Sequence, residues 1–162
     1  MIVISNTTPI LSLFKIGKLE ILKNLFGEII VPEAVYNEIA VADSSKQGAD
    51  VLDKVEYIKV KKIQNLLAAD MLRSQLDYGE SETIVLAKEL NADILLLDEK
   101  KARKVGQANS MKIIGTIGVL QAAKDRGLIS DMKTQLDKLI ENGIWLDKKL
   151  YQTVLQNNGE DC

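Results

Sequence analysis

Short apolar segments, separated by stretches with helical periodicity, restrict the fold of this 162-residue chain more than any other feature. The clearest cover residues 2–4, 28–31, 94–97 and 112–114. Such segments are typical of parallel strands that are buried on both faces. Because strands and helices alternate along most of the chain, the sequence predicts an α/β fold with a central parallel sheet covered by helices on both sides. The strand order is left open.

Capping and turn residues predict where the helices begin and end. Thr8 followed by Pro9 predicts one helix start, and Pro32 predicts another. Residues 43–48 form the clearest loop, and residues 57–61 alternate apolar and polar side chains as an edge strand does. Further helices are predicted over residues 63–76, 80–90, 99–109, 116–127, 130–142 and 147–157.

The amino-acid composition excludes several classes of chemistry. The chain has no histidine, which removes Ser-His-Asp, Cys-His and histidine–metal sites, and its one cysteine is the last residue, Cys162. No apolar stretch approaches the roughly 18 residues of a membrane span. With no signal peptide at the start, we predict a cytoplasmic protein. The net charge of −2 gives no overall attraction to nucleic acid, so any such role needs a local basic patch and a bound cation.

Two strand-end positions and two helical acids are the candidates for chemistry. Asn6 and Asp98 directly follow apolar strands, where side chains face the ligand crevice of a parallel sheet. Glu38 and Glu80 lie on predicted helices. Carboxylates that share one site repel each other unless a cation offsets their charge. Since oxygen ligands suit Mg²⁺ or Mn²⁺, we predict a divalent cation at this site, with Asn6 where a fourth acid is expected.

Each candidate also has a structural interpretation. Asp98 could cap the basic helix after it, Glu80 could cap its own helix, and Asn6 could form a turn. Glu38, considered by itself, is interpreted as a solvent-exposed acid on the surface. Glu82 competes with Glu80, because residues two positions apart on a helix differ in direction by about 200° and only one of them can face the crevice.

Basic and hydroxyl side chains around these acids are the candidate substrate contacts. Lys100, Lys101 and Arg103 follow Asp98 and would contact phosphates without reading sequence. Thr7 and Thr116 supply hydroxyls after the first and last strands.

Five segments together resemble the PIN-domain family, and more narrowly its VapC-like branch of uncharacterised bacterial and archaeal members. They are residues 4–10, 26–39, 79–87, 95–103 and 113–120, which include ISNTTPI, GESETIVLA and LLLDEKKAR. The resemblance covers residues 1–128, and the helices predicted over 129–158 are less diagnostic. We therefore predict a single PIN-like domain over residues 1–162.

The resemblance implies a three-layer α/β/α sandwich and Mg²⁺- or Mn²⁺-dependent hydrolysis of single-stranded RNA. It places the four acidic positions of the family on Asn6, Glu38, Glu80 and Asp98, with Asn6, Glu80 and Asp98 as metal ligands. It also implies a possible toxin role, an antitoxin partner and a homodimer. Because Asn6 carries no charge and cannot act as a base, metal binding is expected to be weakened.

Three competing hypotheses remain open at this stage. The first is a PIN-fold module with weak or no catalysis that binds RNA or a protein. The second is an interaction module whose helices around residues 10–26 and 63–76 present apolar faces to a small partner. The third is phosphotransfer to a strand-end aspartate, as in response regulators, which the absence of a matching lysine disfavours.

Overall fold

The central sheet is parallel throughout. The structure, a computed structural model, describes residues 1–44 and 55–161. Within these residues five strands pair in the order β3-β2-β1-β4-β5. The strands are β1 (Val3–Ser5), β2 (Ile29–Pro32), β3 (Ile58–Lys61), β4 (Ile94–Leu96) and β5 (Ile113–Ile114). This confirms the predicted parallel sheet, and β3 is the edge strand expected over residues 57–61.

Helices cover both faces of the sheet. The helices of the described residues are α1 (Thr7–Lys15), α2 (Glu20–Phe26), α3 (Glu33–Ser44), α4 (Leu66–Leu72), α5 (Tyr78–Glu89), α6 (Lys100–Ala108), α7 (Thr116–Asp125), α8 (Met132–Glu141) and α9 (Lys148–Asn157). No helix in the described part of the chain is long and apolar enough to cross a membrane.

Alternating side chains of the inner strands enter two separate cores. Val3 and Leu96 point into a core shared with α1, α2, α3, α7, α8 and α9, whereas Ile4 and Leu95 point into a core shared with α4, α5 and α6. This alternation follows from the two-residue period of a strand. The two cores confirm the predicted three-layer α/β/α arrangement.

Several predicted helix boundaries are wrong by two or more residues. α1 begins at Thr7 with Asn6 at the N-cap, so Thr8 is inside the helix and Pro9 is its third residue. A proline is tolerated there because the first N–H groups of a helix have no partner within it. The helix predicted to start at Pro32 is present and is displaced by only one residue, because Pro32 is the last residue of β2 and α3 begins at Glu33.

The helix predicted over residues 63–76 is shorter in the structure. Asn65 caps α4 at its start, and the helix ends at Leu72. The next helix, α5, begins two residues before the predicted Glu80, with Asp77 as its N-cap. The loop predicted over residues 43–48 lies mostly outside the described residues, and its first two positions belong to α3.

A carboxylate near the end of the chain ties the last helices to the rest. Glu160 accepts hydrogen bonds from the backbone N–H groups of Met132 at 3.0 Å and Lys133 at 2.9 Å. The ammonium of Lys124 on α7 lies 2.8 Å from the same carboxylate. Glu160 therefore satisfies the N-terminus of α8 and joins it to α7.

Candidate active site

Asn6 has a buried amide oxygen that accepts no hydrogen bond from any of the residues that the structure describes. Its backbone N–H donates to the Leu96 carbonyl at 2.9 Å, which fixes the residue between β1 and β4. The side chain does not cap α1. One reason is that Pro9 occupies the third helical position, where a capping side chain usually finds an N–H. Asn6 is 5% exposed, and its Oδ1 has no hydrogen-bond partner within residues 1–44 and 55–161. Such atoms are rare in folded proteins and are available to a ligand.

Asp98 is held by the start of α7. It lies two residues after β4, and its Oδ1 accepts the Thr116 backbone N–H at 2.6 Å. Its Oδ2 accepts the Thr116 hydroxyl at 2.5 Å. The residue at the N-cap of α6 is Glu99, so the alternative in which Asp98 caps that helix is wrong. Asp98 is instead fixed in one orientation at the carboxyl end of the sheet.

Glu38 is oriented by donors from two other segments. Its Oε2 accepts the Thr7 hydroxyl at 2.5 Å, and its Oε1 accepts the Gly79 backbone N–H at 3.1 Å. A Cβ atom at Gly79 would lie 2.5 Å from Glu38 Oε1, so glycine is what allows this approach. Glu38 is therefore not a freely solvated surface acid. These contacts place it beside the residues that follow Asn6 and precede Glu80.

Glu80 combines a capping role with a buried position. Its backbone N–H donates to Asp77 at 2.8 Å, and its carboxylate accepts the Asp77 N–H at 3.0 Å, which forms a capping box. Burial raises the pKa of the Glu80 carboxyl, and the hydrogen bond from Asp77 opposes this. The negative charges of Asp77, Glu99 and Glu38 raise the pKa of this carboxyl further.

The choice between Glu80 and Glu82 is answered by their contacts. Glu82 accepts the Ala34 backbone N–H at 3.1 Å and lies 3.8 Å from the Arg73 guanidinium. Glu82 thus fixes the start of α3. The pKa of Glu80, in contrast, is raised by the charges of Asp77, Glu99 and Glu38, so Glu80 is the better candidate for the site.

Basic side chains flank Asp98 as the sequence predicted. Arg103 donates from Nη1 to the Leu97 carbonyl at 3.0 Å. A Cβ atom added to Gly115 would lie 2.7 Å from Asp98 Oδ1 and 2.9 Å from Arg103 Nη1, so these two groups approach the same side of Gly115. The Arg103 guanidinium therefore lies near the Asp98 carboxylate. Lys100 and Lys101 are exposed in the first turn of α6.

The sequence model of a family described as a PIN domain matches residues 2–160 of this chain. The chain belongs to the PIN-domain family. The match extends past residue 128, where the sequence resemblance became weak, and so includes α8 and α9. No curated protein and no solved structure matches the chain significantly.

Sequence reasoning missed two acids near the candidate site of this PIN domain. Glu99 is exposed, makes no capping hydrogen bond with its side chain, and lies close enough to Glu80 to raise its pKa. Asp77 acts on the same carboxyl. The position of Glu99 directly after the strand-end Asp98 was the available signal, and it was interpreted as part of the basic helix.

Thr7 and Thr116, which were predicted to contact substrate, are hydrogen-bonded to carboxylates of the protein. Both hydroxyls donate to carboxylates, Thr7 to Glu38 and Thr116 to Asp98. Their first role in this PIN domain is to orient those carboxylates, and direct contact with substrate stays a prediction.

The donor set suits a cation that keeps much of its water. Within residues 1–44 and 55–161, no three His, Cys, Asp or Glu side chains are grouped closely enough to hold a metal ion by themselves. Mg²⁺ in proteins usually has one or two carboxylate ligands and several waters. The unsatisfied Asn6 oxygen and the mutual repulsion at Glu80 fit such an ion. A metal ion bound here would therefore need ligands other than carboxylates, such as the Asn6 oxygen and water.

Proposed function

We propose that this PIN-domain protein is a metal-dependent ribonuclease that hydrolyses phosphodiester bonds of single-stranded RNA. The observation that carries the proposal is the hydrogen-bonded link between the four candidate positions. Thr7, next to Asn6, donates to Glu38, and Glu38 accepts from Gly79, next to Glu80. Asn6 is bonded to the strand that precedes Asp98.

Asn6, Glu80 and Asp98 are the residues that would hold Mg²⁺ or Mn²⁺. When bound, such an ion lowers the pKa of water and offsets the charge that develops on the phosphate. Thr116 keeps the Asp98 carboxylate in place through two hydrogen bonds. The low exposure of Asn6 and Glu80 limits access of bulk water, which strengthens electrostatic interactions there.

Glu38 is the proposed base, which accepts a proton from the attacking water. Its two protein hydrogen bonds orient the carboxylate without adding a positive charge beside it. Lys100, Lys101 and Arg103 would position the RNA backbone. They contact phosphate rather than bases, so we expect them to add affinity and little sequence preference.

The test combines calorimetry with an RNA cleavage assay. We expect the wild type to bind Mn²⁺ in the micromolar to low-millimolar range and to cleave a labelled single-stranded RNA only when Mn²⁺ is present. Asp98→Asn should weaken Mn²⁺ binding at least about tenfold and abolish cleavage. Glu28→Gln is the matched control, because Glu28 is an exposed acid just before β2, at the opposite end of the sheet. Equal Mn²⁺ binding by the wild type and Asp98→Asn would contradict the proposed site.

A second candidate function is a PIN-fold module that binds RNA or a protein with little or no turnover. The observation in its favour is Asn6 itself, since an amide supplies no charge to a cation and cannot act as a base. RNA binding without Mn²⁺-dependent cleavage would select this function. Cleavage that appears in Asn6→Asp would assign the loss of activity to that residue.

The partner predictions concern a protein antitoxin and a homodimer. They are supported by α4, whose Leu66, Leu67 and Met71 side chains are each about two-thirds exposed, at 65%, 69% and 68%. Exposed apolar groups on one helix are typical of interaction surfaces. Light scattering of the purified chain tests the dimer, and the toxin role and cytoplasmic location remain predictions.

A further inference from the structure

A cleft of about 510 Å³ opens directly beside Asp98. It lies between β5 and the first turns of α7 and α9, and we call it the Asp98 groove. Its lining residues are Asp98, Arg103, Ile113, Ile114, Gly115, Ile117, Gly118 and Leu150. The volume lies within the range of about 300–1,000 Å³ that is typical of small-ligand sites. None of the roles proposed above accounts for its apolar part.

The walls of the groove are apolar and its inner end is charged. Ile113, Ile117 and Leu150 supply hydrocarbon surface, whereas Asp98 and Arg103 supply the only charged groups among the lining residues. Leu150 is 43% exposed, although it is a large aliphatic side chain on a helix that packs against the core. Burying this surface against a flat, weakly polar group would be favourable.

Two glycines allow the backbone of α7 to form one side of the groove. A Cβ atom at Gly115 would lie 2.7 Å from Asp98 Oδ1, and one at Gly118 would lie 2.7 Å from Ile114 Cγ2. Larger residues would therefore collide with the carboxylate or with the groove wall. Glycine is the residue type that permits close approach of backbone to a ligand.

Arg103 has donors to spare at the inner end of the groove. One nitrogen, Nη1, donates to the Leu97 carbonyl, and no carboxylate of the described residues forms an ion pair with the guanidinium. A guanidinium carries five N–H donors in a planar fork that matches phosphate oxygens. The remaining donors are available to an anionic ligand.

We propose that the Asp98 groove binds the nucleotide next to the scissile phosphate, with its base against Ile117 and Leu150 and a phosphate on Arg103. This inference rests on the proposed ribonuclease function, whose substrate has this chemistry. It accounts for an apolar cleft that ends in one unpaired arginine beside an acidic site. Because the walls carry no side-chain amide or hydroxyl, the groove is expected to accept different bases with similar affinity.

The first experiment measures binding without metal, so that it does not depend on catalysis. The full chain, labelled with ¹⁵N and kept in EDTA, is titrated with AMP, with UMP and with ribose 5-phosphate, and backbone amide shifts are recorded. We expect AMP and UMP to shift the amides of residues 113–118 and 150, with at least about fivefold higher affinity than ribose 5-phosphate, because only the nucleotides bury a base. Shifts confined to other regions, or equal affinity for all three ligands, would overturn the proposal.

The second experiment uses a matched pair of variants on exposed aliphatic side chains. Leu150→Ser should weaken AMP binding in EDTA about tenfold, as expected when apolar contact is lost from a ligand pocket. Ile140→Ser is the control, because Ile140 is similarly exposed at 47% but lies on α8 outside the groove. Unchanged AMP affinity in Leu150→Ser, with the fold intact by circular dichroism, would refute the groove as the base site.

The two experiments distinguish a wrong ribonuclease function from a wrong assignment of the groove. If the ribonuclease function alone is wrong, binding and cleavage give different answers. In that case AMP still shifts the groove amides in EDTA, while RNA is not cleaved when Mn²⁺ is added. If the groove assignment alone is wrong, Mn²⁺-dependent cleavage persists and its KM is unchanged in Leu150→Ser.

Discussion

Replacing Asn6 by Asp is expected to have opposite effects on the metal-free and the metal-bound protein. The side chain is 5% exposed, and its Oδ1 has no hydrogen-bond partner in the part of the chain that the structure describes. A carboxylate at this position places a further negative charge near acids whose charges already raise the pKa of Glu80. Without a cation the new charge is unfavourable, and with a cation it becomes an additional charged ligand.

The expected magnitudes follow from these surroundings. A buried polar group left unsatisfied costs about 1–3 kcal/mol, and an unpaired charge costs at least as much. We therefore expect the free energy of unfolding in EDTA to fall by about 1–3 kcal/mol at pH 7. In saturating Mn²⁺, a tenfold higher affinity of the variant for the ion stabilises its folded state by about 1.4 kcal/mol relative to the wild type. The difference in stability between wild type and variant should thus shrink or vanish when Mn²⁺ is added.

Urea denaturation in EDTA and in saturating Mn²⁺ measures both effects, and calorimetry gives the Mn²⁺ affinity directly. Asn24→Asp serves as the control, because Asn24 is an exposed residue on α2. An Asn6→Asp protein with unchanged stability in EDTA and unchanged Mn²⁺ affinity would refute the reasoning. Position 6 would then not face the acids.

Three further predictions concern groups that orient the site or the last helices. Thr116→Val removes one of two hydrogen bonds to Asp98 and should weaken Mn²⁺ binding about tenfold by calorimetry, with Thr116→Ser restoring it. Gly79→Ala places a Cβ atom 2.5 Å from Glu38 Oε1, so RNA cleavage should fall about 100-fold while circular dichroism stays unchanged. Burial raises the pKa of Glu160, but hydrogen bonds from the α7 lysine and the α8 backbone outweigh it and hold this pKa below its usual value. The stability that Glu160 contributes is therefore present above about pH 4.5 and is lost as the pH falls through its lowered pKa. Urea denaturation between pH 7 and pH 3 should show a shallower loss of stability in Glu160→Gln than in wild type.

Elements with a strong apolar pattern were predictable, and helix ends were not. β1, β4 and the edge strand β3 lie where the apolar and alternating patterns placed them. Thr8 was predicted as the N-cap of α1 and Pro9 as its first residue, because a hydroxyl before proline is a common cap, yet the structure has Asn6 at the N-cap and begins the helix at Thr7. Capping preferences differ little among polar residues, so the packing of β1 against β4 decides where the chain turns.

The site was predictable as a set of residue types and not as a set of contacts. Asp98 stood out because it follows a buried strand. Its contact with Thr116 could not be read from the sequence, because Thr116 lies 18 positions further along the chain, and a helix and a strand whose placement depends on strand order come between the two residues. The contact between Glu38 and Gly79 spans 41 positions and has the same origin. Glu99 was missed because a charge at a helix start is ordinary in sequence.

Pro9 at the third position of α1 has a consequence for how this protein can change over time. Because Pro9 has no backbone N–H, the side chain of residue 6 contributes little to capping the N-terminus of α1. Asn and Asp codons differ by one nucleotide, and exchanging the two residues leaves the helix start as it is. The charge of the pocket can therefore be altered in a single mutational step that leaves the start of α1 in place, although the metal-free protein loses stability. A lineage of such proteins can gain or lose metal affinity through this one position.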